Sequence, residues 1–509
     1  MSLRARKAKV GRDEARIREY KRGKDYNVYD DKEALTKVAL MVAFAVLCLF
    51  GGYREYNKVK ARGLRRLGAS HATSFIGAEE PGTSDGFTSL LTAEEDASLE
   101  YHHPDNTRYH LIFSTDCSPY QHWQSYLVYY TAMKVKQPGH VTRIASGCQD
   151  EEAAAMQEWF ATNVQGMSQR FHLHMTPYFS GVKDDKGESV GDYKFFNKPF
   201  GLRHWMENAE HMSRHQRDDI VILIDPDMPL LRPIVGDFSS ERETVISPRR
   251  LKHKLGDHVD HGLPFAQTYG LGAQWERFDL DKIAGADSPT KLVSKEDGAL
   301  FYPAGPPYLA TVQDMYNIAV KWTEFAPRVY EQYPHLLAEM YAFCIAAAHL
   351  GLKHQLVDSL MVSNTEATGE GWPLIDQIPQ NEVCDFAKSP DHSTYALPSV
   401  VHLCQRYCVG DAWFFGKRKV PANIYECSTP LFVEPPSNVA QMYDYKWPPN
   451  AKTKTELKPA ILKREAFMVC FLTHLVNEAA TFFKQQSCSE TANLERTQEF
   501  VKLFKRQHS

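Results

Sequence analysis

The stretch Asp219-Ile220-Val221-Ile222-Leu223-Ile224, followed at once by Asp225-Pro226-Asp227, constrains the fold more than any other part of the chain. A short apolar run rich in Ile and Val and ended by Asp-Pro reads as a strand buried on both faces, the kind found in parallel sheets. The acidic triplet then falls at the strand's carboxyl edge. In extended chain, positions i and i+2 face the same side, so both carboxylates can address one ion, and Pro226 fixes the backbone between them. Two hard oxygen ligands on one rigid edge suit Mg²⁺ or Mn²⁺. Open α/β sheets take their ligands beyond the carboxyl ends of their strands. A second Asp-x-Asp, Asp279-Leu280-Asp281, has no apolar strand in front of it and reads as a solvated turn.

The surrounding pattern predicts strands at 109–114, 140–145 and 171–175, and helices at 123–134, 151–162 and 200–213. Strands alternating with helices of this length imply right-handed βαβ units and a mostly parallel α/β sheet covered on both faces. Beyond the triplet, 244–247 reads as one more strand. The loop-rich stretch 249–294 opens with the basic cluster Arg249-Arg250-Leu251-Lys252-His253-Lys254, a solvated loop or a lid. Helices are predicted at 309–322 and 334–351, the latter carrying Glu339, and a short strand over 399–403 ends near His402. Leu462, Phe467, Cys470, Val476 and Phe483 recur at helical spacing, which predicts a helix docked on the core. Trp205, Trp275 and Trp372 are read as core, with stacking on a ring-shaped ligand as the alternative.

With 43% hydrophobic and 12% aromatic residues, the 509-residue chain can fill a sizeable core, and a net charge of -4 gives no reason to expect nucleic-acid binding. The polarity is uneven, however. Residues 1–33 are crowded with basic side chains from Arg4 to Lys24 and form a polar tail. Residues 34–53 hold a short uncharged apolar centre, and with Lys37 snorkelling and Tyr53 at the interface the whole stretch can span a thin bilayer at about 1.5 Å per residue. The heavier basic cluster precedes this span, so the amino end is expected in the cytosol and the bulk of the chain in a lumen. Residues 54–103 read as a flexible stem, 104–440 as the α/β domain, and 441–509 as a helical extension packed on it. One of the ten cysteines, Cys48, lies in the span; the remaining nine are odd in number, so at least one is not paired within the chain. His402, Cys404 and Cys408 have a zinc-like spacing, but no second cysteine pair stands with them.

Phe113-Ser114-Thr115-Asp116-Cys117-Ser118-Pro119, Trp123, Tyr129-Tyr130, Val141-Thr142-Arg143, Ser146-Gly147, Asn197-Lys198-Pro199, Asp225-Pro226-Asp227, Glu339-Met340-Tyr341 and His402 follow one another over residues 107–440. In this order they resemble the hydroxyproline O-arabinosyltransferase-like glycosyltransferases, whose domain is shared with plant peptidyl serine α-galactosyltransferases. The resemblance implies a GT-A fold, a divalent metal (Mn²⁺ or Mg²⁺), a UDP-sugar donor, and retention of anomeric configuration. It implies metal ligation by Asp225, Asp227 and His402, and contact with the nucleotide sugar by Thr115, Asp116, Arg143 and Lys198. Glu339 is the acid expected nearest the sugar, with a buried structural carboxylate as its alternative. The implied acceptor is a hydroxyproline- or serine-rich secreted or cell-wall protein, and the implied setting is the Golgi membrane, type II, with the catalytic domain lumenal. Arabinofuranose onto hydroxyproline is the first expectation, galactose onto serine the second, and a catalytically silent membrane-anchored binding protein the third. Met228 stands where many arabinosyltransferases carry His, and the segment leading to Gly305-Pro306-Pro307-Tyr308 diverges.

Overall fold

The computed structural model describes residues 90–500 apart from 103–105, 184–186, 188, 210–211, 213–216, 449–450 and 489–491. The basic tail, the apolar span and the stem as far as residue 89 lie outside the described residues. Among the described residues, seven strands make the central sheet: β1 (Tyr109–Thr115), β2 (His140–Ser146), β3 (Phe171–Thr176), β4 (Ile220–Ile224), β5 (Phe265–Thr268), β6 (Ala304–Thr311) and β7 (Gln355–Val357). Their order is β3-β2-β1-β4-β6-β5-β7. Only β6 runs antiparallel to its neighbours, so the sheet is mostly parallel. The helices that matter here are α1 (Ala93–Ser98), α2 (Pro119–Lys134), α3 (Asp150–Asn163), α4 (Asn197–Asn208), α5 (Val312–Gln332), α6 (Ala338–His349) and α7 (Pro459–Ser487).

The pleat divides the apolar residues between two cores. Leu111, Phe113, Ile222 and Ile224 enter one, against Tyr126 and Tyr129 of α2 and Phe467 and Leu472 of α7. Ile112, Val221 and Leu223 enter the other, against Trp205 of α4, Trp322 of α5 and Phe343 of α6. Every residue of β4 is buried, as its unbroken apolar run requires. Trp205, Trp275 and Trp372 are likewise core.

The structure departs from the sequence reading at several places. Residues 244–247 are not a strand, and the strands β5, β6 and β7 were not expected. In β6 the pair Pro306-Pro307 argues against a ladder, since proline offers no N–H. The sheet accommodates it with a bulge: Ala266 pairs with Tyr308, but Gln267 pairs with Gly305, which leaves both prolines outside the register. The predicted helix at 309–322 therefore starts three residues late, at Val312, because Leu309 to Thr311 complete β6. The chain also enters the fold before residue 104. Asp96 of α1 is buried and accepts from Ser168 Oγ (2.6 Å), Gln169 N (2.9 Å) and Arg170 Nε (3.1 Å).

Helix α7 is long and apolar enough to cross a membrane, yet most of its apolar stretch is buried inside the protein. A Cys384–Cys470 disulfide and an Arg464–Asp376 ion pair (Nε to Oδ1 3.0 Å) fix it there. Its Glu465 accepts from Cys408 N (2.8 Å), at the start of a hairpin formed by Arg406–Val409 and Trp413–Gly416. That hairpin leads directly to Lys417.

Candidate metal centre

The chain leaves β1 for β2 and β3 on one side and then crosses to β4 on the other, so the connections diverge between β1 and β4. Such a switch point opens a crevice at the carboxyl ends of the two strands. Phe113 lies opposite Ile224 in the register, so the turns carrying Thr115-Asp116 and Asp225-Pro226-Asp227 leave the sheet side by side.

In the second turn Met228 N–H donates to Asp225 O (3.2 Å), while Asp225 N–H donates to the Met228 sulfur (3.4 Å). The buried methionine thus shapes the turn. His402 reaches the same place from a distant segment whose backbone is zipped to it: Val401 N–H donates to Pro229 O (3.1 Å) and Leu403 N–H to Asp227 O (3.0 Å). The His402 Nε2 stands 3.4 Å from Asp227 Oδ1 and 3.9 Å from Asp225 Oδ2. One ligand atom from each of the three lies within 4.8 Å of the others. Two carboxylates and an imidazole form a donor set that fits a divalent cation.

Tyr269 supports the histidine from behind, its hydroxyl 3.4 Å from His402 Nδ1. The ring lies across Gly305, where an added Cβ would come within 2.0 Å of it. Only glycine permits that approach.

Two lysines compensate the carboxylates. Lys198, on α4, is buried and sits 2.8 Å from Asp225 Oδ1 and 2.8 Å from Glu339 Oε1. Lys417 is hydrogen-bonded to Asp227 Oδ2. Burial alone would raise the Asp227 carboxyl, but His402 and Lys417 outweigh it and hold the group well below the usual carboxylate range. Burial would likewise depress His402 and Lys198, yet their carboxylate partners raise both. For Glu339 burial wins over Lys198, and its carboxyl is raised.

Of the residues singled out in sequence, Asp225, Asp227 and His402 converge. Thr115 and Asp116 lie across the crevice. Thr115 Oγ1 donates to Ile144 O (3.3 Å), and Asp116 accepts from Ser118 Oγ (2.5 Å) and Lys194 Nζ (2.7 Å). A Cys117–Cys148 disulfide ties the turn after β1 to the turn after β2. Arg143 does not line the crevice. It is 1% exposed and donates from beneath to Thr115 Oγ1 (2.9 Å) and Asp116 O (3.4 Å). Lys198 is committed to two carboxylates, and Glu339, 2% exposed, sits behind Asp225 with Lys198 between them. Asp279 caps the short helix Leu280–Ala284, and Asp281 pairs with Lys291. Lys417 and Tyr269 escaped the sequence reading: the run Lys417-Arg418-Lys419 looks like any solvated basic turn, and an isolated tyrosine carries no pattern.

The chain is thus an α/β protein with an acidic, histidine-completed centre at the switch point of a mostly parallel sheet. No protein-family model matches it. The peptidyl serine alpha-galactosyltransferase of Arabidopsis thaliana is 24% identical to it over 345 residues, which cover 65% of this chain and 34% of that protein. The chain therefore spans about a third of the length of this curated relative. A solved structure of the galactosyltransferase LgtC, in complex with donor and acceptor sugar analogues, aligns over 58% of this chain and 87% of that one. Identity there is 14% and the TM-score 0.29, too loose a superposition to carry an argument.

Proposed function

We propose that the chain is a metal-dependent glycosyltransferase of the GT-A type that moves a sugar from a UDP-sugar to a hydroxyl of a protein in the secretory pathway. The observation that carries this reading is the convergence of Asp225, Asp227 and His402 at the β1/β4 switch point. The 24% identity to a peptidyl serine galactosyltransferase supports it independently. In the transfer, the bond between the anomeric carbon and the diphosphate oxygen breaks, a bond to the acceptor oxygen forms, and the acceptor proton leaves with the diphosphate. A bound Mn²⁺ or Mg²⁺ supplies charge that offsets the departing diphosphate.

The protein's own residues set the stage for that transfer. Asp225, Asp227 and His402 hold the ion. Asp116 faces the nucleotide, while Thr115, 2% exposed and bonded to Ile144 O, and Arg143 hold its turn from beneath. Lys198 and Glu339 position Asp225; they act through it and do not touch the sugar. For the substrates, the relative's name favours galactose onto serine, and the residues over 107–440 favour arabinofuranose onto hydroxyproline. The disulfides Cys117–Cys148, Cys384–Cys470 and Cys427–Cys488 accord with an oxidising compartment, and with the apolar span at 34–53 they support a Golgi-type anchor with the domain in the lumen.

The test is UDP release by the full-length chain with Mn²⁺, across UDP-sugars and both serine-rich and hydroxyproline-rich peptides. Turnover with UDP-galactose and a serine peptide, or with UDP-arabinofuranose and a hydroxyproline peptide, selects the pair. Folded protein that turns over neither would refute the catalytic reading in favour of a binding role.

A further inference from the structure

We propose that Lys417 makes the affinity of the Asp225–Asp227–His402 centre for a divalent cation conditional on a diphosphate group. The inference rests on the metal reading above and concerns how that centre is filled. Each of the two carboxylates already carries an ammonium: Lys198 on Asp225 and Lys417 on Asp227. Lys198 is shared with Glu339, so the two ammoniums face three carboxylates and leave the cluster at most one unit of negative charge before any ion arrives; a dication brings two positive charges, which that remainder does not offset.

The two lysines differ in how they are held. Lys198 comes from α4, has 11% of its side chain exposed, and is shared with Glu339. Lys417 stands on the turn after the Trp413–Gly416 strand, with 24% of its side chain exposed. Lys417 is the one that can move aside. Something must take up its charge when it does, because a cation displaced next to another cation pays twice. A nucleoside diphosphate seated beyond the β1/β4 edge does this, since its oxygens complete the ion's coordination and its negative charge receives the lysine. Removing a lysine that competes for Asp227 then tightens the ion alone and loosens its dependence on the nucleotide. The coupling is reciprocal, so the cation raises diphosphate affinity by the same factor as the diphosphate raises that of the cation.

The test is calorimetric titration of the full-length chain with Mn²⁺, with and without UDP, for the native protein, Lys417→Met and Lys417→Arg. The native protein and Lys417→Arg should bind Mn²⁺ weakly alone and much more tightly with UDP. Lys417→Met should bind Mn²⁺ alone at least about tenfold more tightly, or about 1.4 kcal/mol, and should lose a similar factor of enhancement by UDP. If Lys417→Met fails to fold by thermal midpoint, Lys417→Gln gives the same comparison. A neutral variant with native Mn²⁺ affinity and native enhancement overturns the role of Lys417. A folded native protein that binds no Mn²⁺ even with UDP overturns instead the metal reading beneath it.

Discussion

Replacing Lys198 by Met should be among the most costly single changes in the site, and its cost should depend on pH. The ammonium lies 2.8 Å from each of two carboxylates in a site where its side chain is 11% exposed and that of Glu339 is 2% exposed. Glu339 has no substitute for it, since its Oε2 is buried with no hydrogen-bond partner. Removing one member of a buried pair costs about 3–5 kcal/mol, because the remaining charge stays desolvated. At about 2 °C per kcal/mol for a domain of this size, the thermal midpoint should fall by roughly 6–10 °C. Burial already raises Glu339 above its ordinary 4.5 against the pull of Lys198, so losing the lysine raises it further. A carboxyl raised in the folded state keeps a proton that the unfolded chain has released, so stability falls as pH climbs from 4.5 toward the folded value. Lys198→Met should therefore lose more stability near pH 8 than near pH 5, and Glu339→Gln in the same chain should restore more than half of the loss. Urea unfolding of the two single variants and the double variant at both pH values measures this. A loss under about 1 kcal/mol, or one unchanged by pH and by Glu339→Gln, would refute the claim that the lysine is held there by paired charge.

Other consequences follow from the same geometry. Asp227→Ala should reduce Mn²⁺-dependent UDP release by at least about a thousandfold, or about 4 kcal/mol, while far-UV circular dichroism stays native; unchanged turnover would remove Asp227 from the centre. Gly305→Ala should push the Tyr269 ring off His402 and weaken Mn²⁺ binding about tenfold, as loss of an outer support does; native affinity in a folded variant would show that Tyr269 is idle. His172 and His174 are lowered to about 4 by burial and by their neighbours His140 and His204. The unfolded chain takes up protons there first, so stability should fall as pH drops from 6.5 toward about 4 and level off below. The urea midpoint should trace that fall, and His172→Gln with His174→Gln should reduce it by about half, since buried His122 and His354 are lowered to about 4 as well; an unaltered slope would assign the loss to other groups.

What could be read in the sequence, and what could not, divides by the distance over which the chemistry operates. The strand Ile220–Ile224 and its acidic turn were legible because burial, extended geometry and the placement of both carboxylates are all decided within nine residues. The helices of the first half were legible for the same reason. The strand Ala304–Thr311 was not, because Pro306-Pro307 reads as a break until a partner strand bulges around it. Arg143 and Lys198 were noticed as cations, but their tasks depend on partners no local pattern names: Glu339 is 141 positions from Lys198. Lys417 was missed outright, 190 positions from the carboxylate it meets. This division has a physical basis. An acidic edge at the end of a buried strand is costly to desolvate unless cations arrive from elsewhere, so the residues that make it stable are those that folding alone brings to it. The carboxylates mark where a site can be, and the distant lysines determine what charge that site still lacks.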